Sequence, residues 1–332
     1  MIVRRPGSGS TLSRREVITL GVGALSVAML PAAVRRPAPL VRRTLPLMGT
    51  LGEIAVAGRD PVLARAAIDA AFDELHAVER VMTRFAPASD VGRANGGAAI
   101  EAVTVSAATA AVLREALAWA VTTDGRFDPC LGRVVTLWDV AHRHAPPAAG
   151  AMRRLASRRF YRHLDVDSWR GRPAVRFTDP EVAIDLGGIA CGYGVDRAVR
   201  ALRRHGIAQG LVNVGGDVYA LGTSPDGDAW EVGIQSPADP TRVIARVSVR
   251  DGAVATSGDY MQFFVYRGVR YHHLLDPATA APRRTPMHSV TVAAATCLEA
   301  DAATTAVFGM SDEDAARLLA ARANGAVVVH RA

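Results

Sequence analysis

The chain has 332 residues, 49% hydrophobic and 21% charged, which suffices for one large domain or two smaller ones and rules out a disordered polymer. The formal net charge is +7, and all 39 basic residues are arginine. Residues 1–43 hold eight of those arginines and one acid, Glu16, so the excess charge sits in this tail and the rest is close to neutral. A near-neutral body has no electrostatic footprint for DNA or RNA, which excludes a nucleic-acid partner.

The tail reads as a targeting segment. Ser13-Arg14-Arg15-Glu16-Val17-Ile18 is a twin-arginine pattern, and an apolar stretch follows from Val17 to Val34, broken by Gly21, Gly23 and Pro31. Small residues at Ser26, Ala28, Ala32 and Ala33 offer cleavage sites. An uncleaved anchor is the alternative, since the run is about long enough to span a bilayer. The glycines and the late proline favour a signal peptide. Residues 1–43 are therefore expected to be a twin-arginine signal and a Pro/Arg linker, and residues 44–332 the folded domain. The protein is expected in the periplasm or another extracytoplasmic space, membrane-tethered only if the signal stays on, with no stable insertion of the mature chain. Cys130, Cys191 and Cys297 are too few for a disulfide framework, and their spacing matches no zinc site.

Within the domain, Leu51 to Ala57 alternates like a strand. Asp60-Pro61 gives an N-cap and a first-turn proline, predicting a helix to about Met82 with Leu63, Ala67, Ala71, Leu75, Val78 and Met82 on one face. Ser106 caps a second helix to about Val121, and Ala145 to Ala151 reads as a loop. A third helix runs from Tyr193 to His205, stopped by Gly206. Strands follow at Ala229–Gln235 and Val243–Val249. A hairpin pairs Gln262–Tyr266 with Val269–Leu275 and turns at Arg267-Gly268. Ser289–Ala294 is an apolar strand leading to a helix near Ala300, and Ser311 with Asp314 opens the last helix. The mixture lacks a regular βαβ alternation, so the expected class is α+β, with mixed or antiparallel sheets flanked by helices.

Three segments carry candidate chemistry. In Ala300-Asp301-Ala302-Ala303-Thr304-Thr305-Ala306, Asp301 and Thr305 stand four apart and share a helix face. A hard cation would satisfy both oxygens. Alternatively, Asp301 caps the helix and Thr305 bonds back to its own backbone. Asp185-Leu186-Gly187-Gly188-Ile189-Ala190-Cys191-Gly192-Tyr193-Gly194 opens a helix whose amides could cradle phosphate, or is a tight turn before an ordinary helix; it fits neither common nucleotide motif. In Tyr271-His272-His273-Leu274-Leu275-Asp276-Pro277, strand alternation lets at most one histidine face a site, as a base or as a structural residue.

Taken in order, these segments resemble the ApbE family of FAD:protein FMN transferases. Met48-Gly49-Thr50, Arg84-Phe85 through Asn95, Gly125 to Pro129, Asn213 to Asp217 and Thr256 to Tyr260 extend the likeness over nearly all of Leu47 to Met310. The resemblance implies an ApbE-like (T-fold-like) architecture and transfer of the FMN half of FAD to a threonine or serine hydroxyl of an acceptor protein, releasing AMP. It implies Mg²⁺ as cofactor, with Asp301, Thr305 and the Gly188 carbonyl as its ligands. Met48, Phe85, Asp128, Asp185 and Cys191 would line the flavin or adenine pocket, and His273 would act beside the reacting phosphate. Two departures stand out. Cys191 occupies a position where the family often has lysine, or sometimes glutamate, and Thr279-Ala280-Ala281-Pro282 lacks the family's usual glycine. The competing readings are an FAD pyrophosphatase giving FMN and AMP, and a non-catalytic exported flavin-binding protein.

Overall fold

Seven antiparallel strands form the central sheet. They are β1 (Leu40–Leu47), β2 (Thr50–Ala57), β6 (Gly210–Val214), β7 (Asp217–Leu221), β10 (Gly252–Gly258), β15 (Ser289–Ala294) and β16 (Val327–Arg331), in the spatial order β16-β15-β10-β7-β6-β2-β1. The structure is a computed structural model that describes residues 39–58, 60–322 and 327–331, with strand fragments at Val3–Arg4, Val17–Ile18 and Ser26–Ala28. The Arg14-Arg15 pair and most of the apolar stretch behind it lie outside the described residues.

One face of the sheet carries the helices α1 (Pro61–Met82), α6 (Ala190–Arg204) and α7 (Cys297–Val307), and α3 (Ala107–Thr122) packs on α1 and α7 in the same main core. The opposite face is covered by an antiparallel pair, β8 (Trp230–Gln235) and β9 (Val243–Val249), which packs Trp230, Val232 and Val247 against Leu211, Val218 and Val254. Being covered on both sides explains a difference from the sequence. The strand expected to alternate at Leu51–Ala57 buries five consecutive residues, Gly52 to Val56. Smaller pieces complete the fold. The strands β3 (Val103–Thr104), β4 (Leu164–Trp169) and β5 (Arg172–Phe177) form one sheet, β11 (Phe263–Tyr266) and β12 (Val269–His272) a hairpin, and β13 (Leu275–Asp276) with β14 (Ala281–Pro282) a short ladder. The α+β class with antiparallel sheets and flanking helices is the observed one.

Local chemistry sets most boundaries. The Asp60 carboxylate accepts from the Val62 and Leu63 amides at 2.9 and 3.1 Å, fixing the start of α1. Its buried face runs Ala64, Ala67, Ile68, Ala71, Phe72, Leu75, Val78 and Met82, while Leu63 is 45% exposed. The apolar stripe begins one residue later than its periodicity suggested, and Leu75 and Val78 on it meet α6 at Gly194. Ser106 caps α3 through the Thr109 amide at 3.1 Å. Arg267 and Gly268 both take positive φ, +50 and +76, the two-residue turn that suits a hairpin. The helix α8 (Asp312–Arg322) starts where the Asp314 amide donates to the Ser311 hydroxyl at 3.1 Å. Short helices at Asp90–Gly97, Gly132–Trp138 and Ala149–Leu155 lack a clear apolar period and were not anticipated.

The helices α6 and α7 approach each other closely at Gly192. A Cβ placed on Gly192 would lie 2.3 Å from the Cys297 carbonyl oxygen and 2.8 Å from the Asp301 Cβ. Gly192→Ala should therefore force the helices apart and destabilise the protein by about 2 kcal/mol or more. Urea denaturation checks this, and a midpoint equal to wild type would contradict the packing.

Candidate active site

The site is built on α7, and α7 is held at both ends. At its start the Thr296 hydroxyl accepts from the Glu299 amide at 3.3 Å, and the Asp196 carboxylate on α6 accepts from the Cys297 and Leu298 amides at 2.8 and 3.0 Å. At its end two arginines satisfy carbonyls that the helix leaves open. Arg283 donates to Thr305 and Phe308 at 2.6 and 3.1 Å, and Arg126 donates to Ala306 and Phe308 at 3.0 and 2.5 Å. Burial, with Arg126 beside it, pulls the Arg283 guanidinium down to about 9. Neither arginine was singled out by sequence, because a buried arginine that bonds only carbonyls leaves no pattern.

This frame removes the helix-cap alternative for Asp301. Thr296 holds the N-cap, Asp301 lies in mid-helix and is 6% exposed, and the hydroxyl that bonds back to the helix is that of Thr304, to the Asp301 carbonyl at 2.8 Å. The Asp301 Oδ2 instead accepts from the Gly192 amide at 3.0 Å, across the junction. One turn on, a Cβ on Gly188 would lie 2.9 Å from the Thr305 hydroxyl oxygen, so the Gly188 backbone and the Thr305 side chain are neighbours. The three expected ligands, Gly188, Asp301 and Thr305, thus stand together along one seam.

The seam is strongly acidic. Asp217, the first residue of β7, acts on Asp301 electrostatically, although the sequence placed it only in a turn-like segment. Burial raises both carboxyls above their ordinary range, and the Asp301 charge further raises Asp217. The Cys191 thiol is pushed well up by burial and then by Asp217, Asp301 and Glu79, so it is neutral. Cys297 is raised in the same way. No basic side chain figures among these influences. Among the described residues no three His, Cys, Asp or Glu side chains are grouped for a metal ion, so a cation here would draw on backbone, hydroxyl and ligand oxygens as well.

The other expected residues fall around this seam. Met48 takes a positive φ of +51, donates its amide to Glu79 Oε1 at 2.7 Å, and lies close to Gly194 of α6. Asp185 is bound on both oxygens, to the Gly187 amide at 2.8 Å and to Arg84 Nε at 2.8 Å. The Arg84 guanidinium also lies over the Phe85 ring, 4.4 Å from its centroid, and Phe85 is 80% exposed, an open aromatic face. Asp128 is committed to backbone, accepting from the Cys130 and Tyr161 amides at 2.8 and 3.2 Å, and burial raises it to about 7. Its bonds secure the Pro129 turn and the 3₁₀ turn at Phe160–His163.

His272 and His273 divide as strand alternation requires. His272 is buried and donates Nε2 to the Arg283 carbonyl at 3.0 Å, tying its segment to the end of α7. His273 is half-buried, with Nδ1 at 3.3 Å from the Gln262 carbonyl. A carbonyl only accepts, which assigns the proton to Nδ1 and leaves the Nε2 lone pair available. In the turn beyond, Ala280 keeps a left-handed φ of +52 without glycine, and its carbonyl accepts from Trp138 Nε1 at 2.7 Å.

Within this α+β fold the seam between α6 and α7 brings together carboxylate, hydroxyl and backbone oxygens of the kind a hard cation takes. The ApbE family model matches residues 48–329. The FAD:protein FMN transferase of Treponema pallidum is 35% identical over 288 residues, covering 82% of this chain and 79% of that protein. The FAD:protein FMN transferase of Vibrio cholerae is 30% identical over 292 residues, covering 87% of each. Among solved structures, the ApbE protein of Thermotoga maritima matches with a TM-score of 0.78 at 30% identity, over 88% of this chain and 94% of that one. The flavin transferase ApbE from Vibrio cholerae matches with a TM-score of 0.74, also at 30% identity, over 88% and 93%. The chain belongs to the ApbE family and is an enzyme of the transferase class.

Burial pulls His273 down to about 4, from an unfolded value of 6.5. Folding thus favours its neutral form. Its contribution to stability is complete above about pH 6.5 and is lost as pH falls through about 4. His273→Gln should flatten the fall of stability between pH 7 and pH 4, measured by urea denaturation at several pH values. Parallel wild-type and variant curves would contradict the burial of a neutral imidazole.

Proposed function

We propose that this protein transfers the FMN moiety of FAD to a threonine or serine hydroxyl of an acceptor protein, with release of AMP and dependence on Mg²⁺. The observation that carries the reading is the seam itself. In a chain whose relatives are named FAD:protein FMN transferases, the Asp301 carboxylate and the Thr305 side chain face Gly192 and Gly188 of the glycine-rich segment along one acidic seam. Those donors fit a hard divalent cation, and Asp301, Thr305 and the Gly188 carbonyl are the residues that would hold it. When bound, the cation would draw negative charge from the pyrophosphate of FAD.

The remaining work falls to the chain's own groups. Phe85 offers an exposed ring for flavin or adenine, with Arg84 fixing it from behind. Met48 and Cys191 add half-buried apolar surface at the mouth of α6. A protein hydroxyl is a weak nucleophile at neutral pH, and His273 Nε2, uncharged and free to accept, suits the removal of its proton. Asp185 and Asp128 act one step back: Asp185 holds Arg84 and the Gly187 turn, and Asp128 holds the segment after Phe127. The acceptor hydroxyl replaces AMP at phosphorus directly, so no covalent enzyme intermediate is needed.

The basic tail supports export by the twin-arginine route to the periplasm or an equivalent space. No helix of the described residues is long and apolar enough to cross a membrane. Replacing Arg14 and Arg15 together by lysine should block export and leave the activity of the purified protein intact. Fractionation and immunoblotting check this, and unchanged extracytoplasmic levels would rule the route out.

The central test incubates the protein with FAD, MgCl₂ and a candidate acceptor, and looks for a fluorescent protein band on a denaturing gel and for AMP. Free FMN with AMP and no labelled protein would point to the pyrophosphatase, and binding without AMP to a flavin carrier. Asp301→Ala should abolish labelling while FAD binding only weakens, because the carboxylate is the one charged ligand. Thr305→Ala should do less harm, since water can replace a neutral hydroxyl. An Asp301→Ala protein with wild-type labelling and unchanged magnesium dependence would sink the metal assignment.

A further inference from the structure

The hairpin that leads into the histidines has an open edge. Its two-residue turn at Arg267-Gly268 makes Tyr266 and Val269 a mutually hydrogen-bonded pair, and such pairs recur at every second position of an antiparallel ladder. Phe264 with Tyr271 is the next, and the Gln262 carbonyl, which accepts from the His273 amide at 3.1 Å, continues the series. The residues between, Phe263 and Val265, therefore turn their N–H and C=O groups away from β12. Among the described residues β11 pairs with β12 alone. Phe264 is buried in the stack with Trp138 and Tyr271, whereas Phe263 and Val265 stand 41% and 57% exposed on the other face. Folded proteins ordinarily blunt an apolar open edge with charges, prolines or bulges. Here Phe263 is held in place instead, with the Arg270 guanidinium 4.6 Å from its ring centroid and Arg270 bound to Asp259 at 2.9 Å. Arg267 and Arg270 supply the only full charges from Phe263 to Tyr271, so the edge is cationic as well as apolar.

We propose that the open edge of β11 is where the acceptor protein docks, an extended segment of it pairing with Phe263 and Val265 as a third strand of the hairpin. This rests on the transferase reading given above. Strand addition draws affinity from main-chain hydrogen bonds and specificity from alternate side chains. The edge offers the N–H and C=O groups of Phe263 and Val265 and an apolar surface for every second residue of the segment. At its tip Arg267 favours an acidic residue in the partner. Gln262 marks the other end. Its carbonyl is the one that His273 Nδ1 meets at 3.3 Å, so the added strand passes the expected base at two strand spacings, about 10 Å. Roughly three residues of extended chain cover that distance. The hydroxyl to be labelled therefore lies a few residues outside the paired stretch, at the Gln262 end, and the hairpin selects it by register.

The experiment measures FMN transfer by the full-length protein, with FAD and MgCl₂, to a pool of synthetic threonine peptides of about 12 residues, apolar at alternate positions and carrying one aspartate. Val265→Pro removes an outward N–H and none of the hairpin's own hydrogen bonds, and an edge strand tolerates proline. It should raise the KM for peptide about tenfold, with the KM for FAD and the melting temperature close to wild type. Val265→Thr keeps the N–H and should behave like wild type. Arg267→Glu should raise the KM of the aspartate peptides and lower that of peptides with lysine in its place. A Val265→Pro protein with the wild-type peptide KM would overturn the proposal. So would proline and threonine variants that lose transfer and melting temperature together, since Val265 would then serve the fold. A wild type that labels an intact acceptor protein but no peptide would overturn the strand pairing alone. A wild type that labels neither and releases no AMP would overturn the transferase reading itself. Wild-type dimers that Val265→Pro dissociates would assign the edge to a second copy of this chain and overturn the acceptor's claim to it.

Discussion

The missing side chain at Gly192 is the constraint on which the rest of the structure depends. It lets the first turn of α6 lie against the first turns of α7 closely enough for its amide to reach Asp301. Once the helices are that close, Asp196, one turn further along α6, can supply its carboxylate to the open amides at the start of α7. The exchange is reciprocal. An acid on α7 takes an amide from α6, and an acid on α6 takes two amides from α7. Each carboxylate is stabilised by N–H groups that the partner helix would otherwise leave unpaired. The register is fixed as a result, and Gly188 is carried to Thr305.

The far end of α7 relates this seam to the histidines. Arg283 ties three segments together, donating to the Leu275 carbonyl, to the Thr305 and Phe308 carbonyls at the end of α7, and to the Arg126 carbonyl. Its own carbonyl receives His272 Nε2, the residue before His273. A displacement of α7 therefore reaches the segment that carries the expected base. The cost is a buried guanidinium without a carboxylate partner, held by carbonyls alone, which is why burial lowers its proton affinity. The hairpin above is stiffened by the rings of Trp138, Phe264 and Tyr271, stacked at centroid distances of 5.3 to 6.4 Å.

Much of this was legible in the amino-acid order, and the exceptions have physical reasons. The Asp60-Pro61 start, the Ser106 cap and the Arg267-Gly268 turn are local chemistry and stand where they were expected. Leu63 was not, because the periodicity assigned the largest apolar residue of the first turn to the core, while the buried face begins at Ala64. The spacing of Asp301 and Thr305 revealed a shared face but left open what that face met, since Gly188 and Gly192 arrive from a helix far away in the chain. Asp217 was harder still. In Asn213-Val214-Gly215-Gly216-Asp217 it reads as the end of a turn, and only the pairing of β7 between β6 and β10 brings its carboxyl under α7.

Cys191 shows how the site's charge is balanced. The sequence marked it as a thiol where related chains often carry lysine, and its surroundings state what that exchange means here. Glu79, Asp217 and Asp301 all act on it, every one of them acidic. An ammonium in this place would neutralise part of that field from within the protein. A thiol in an acidic, buried setting holds its proton and contributes no charge. With a thiol there, no cationic side chain figures among the influences on Asp217 and Asp301, and both carboxyls hold their protons more tightly than ordinary ones. The fold thus presses acidic groups together without a neutralising partner of its own, a strain that the cation of the proposed function would relieve.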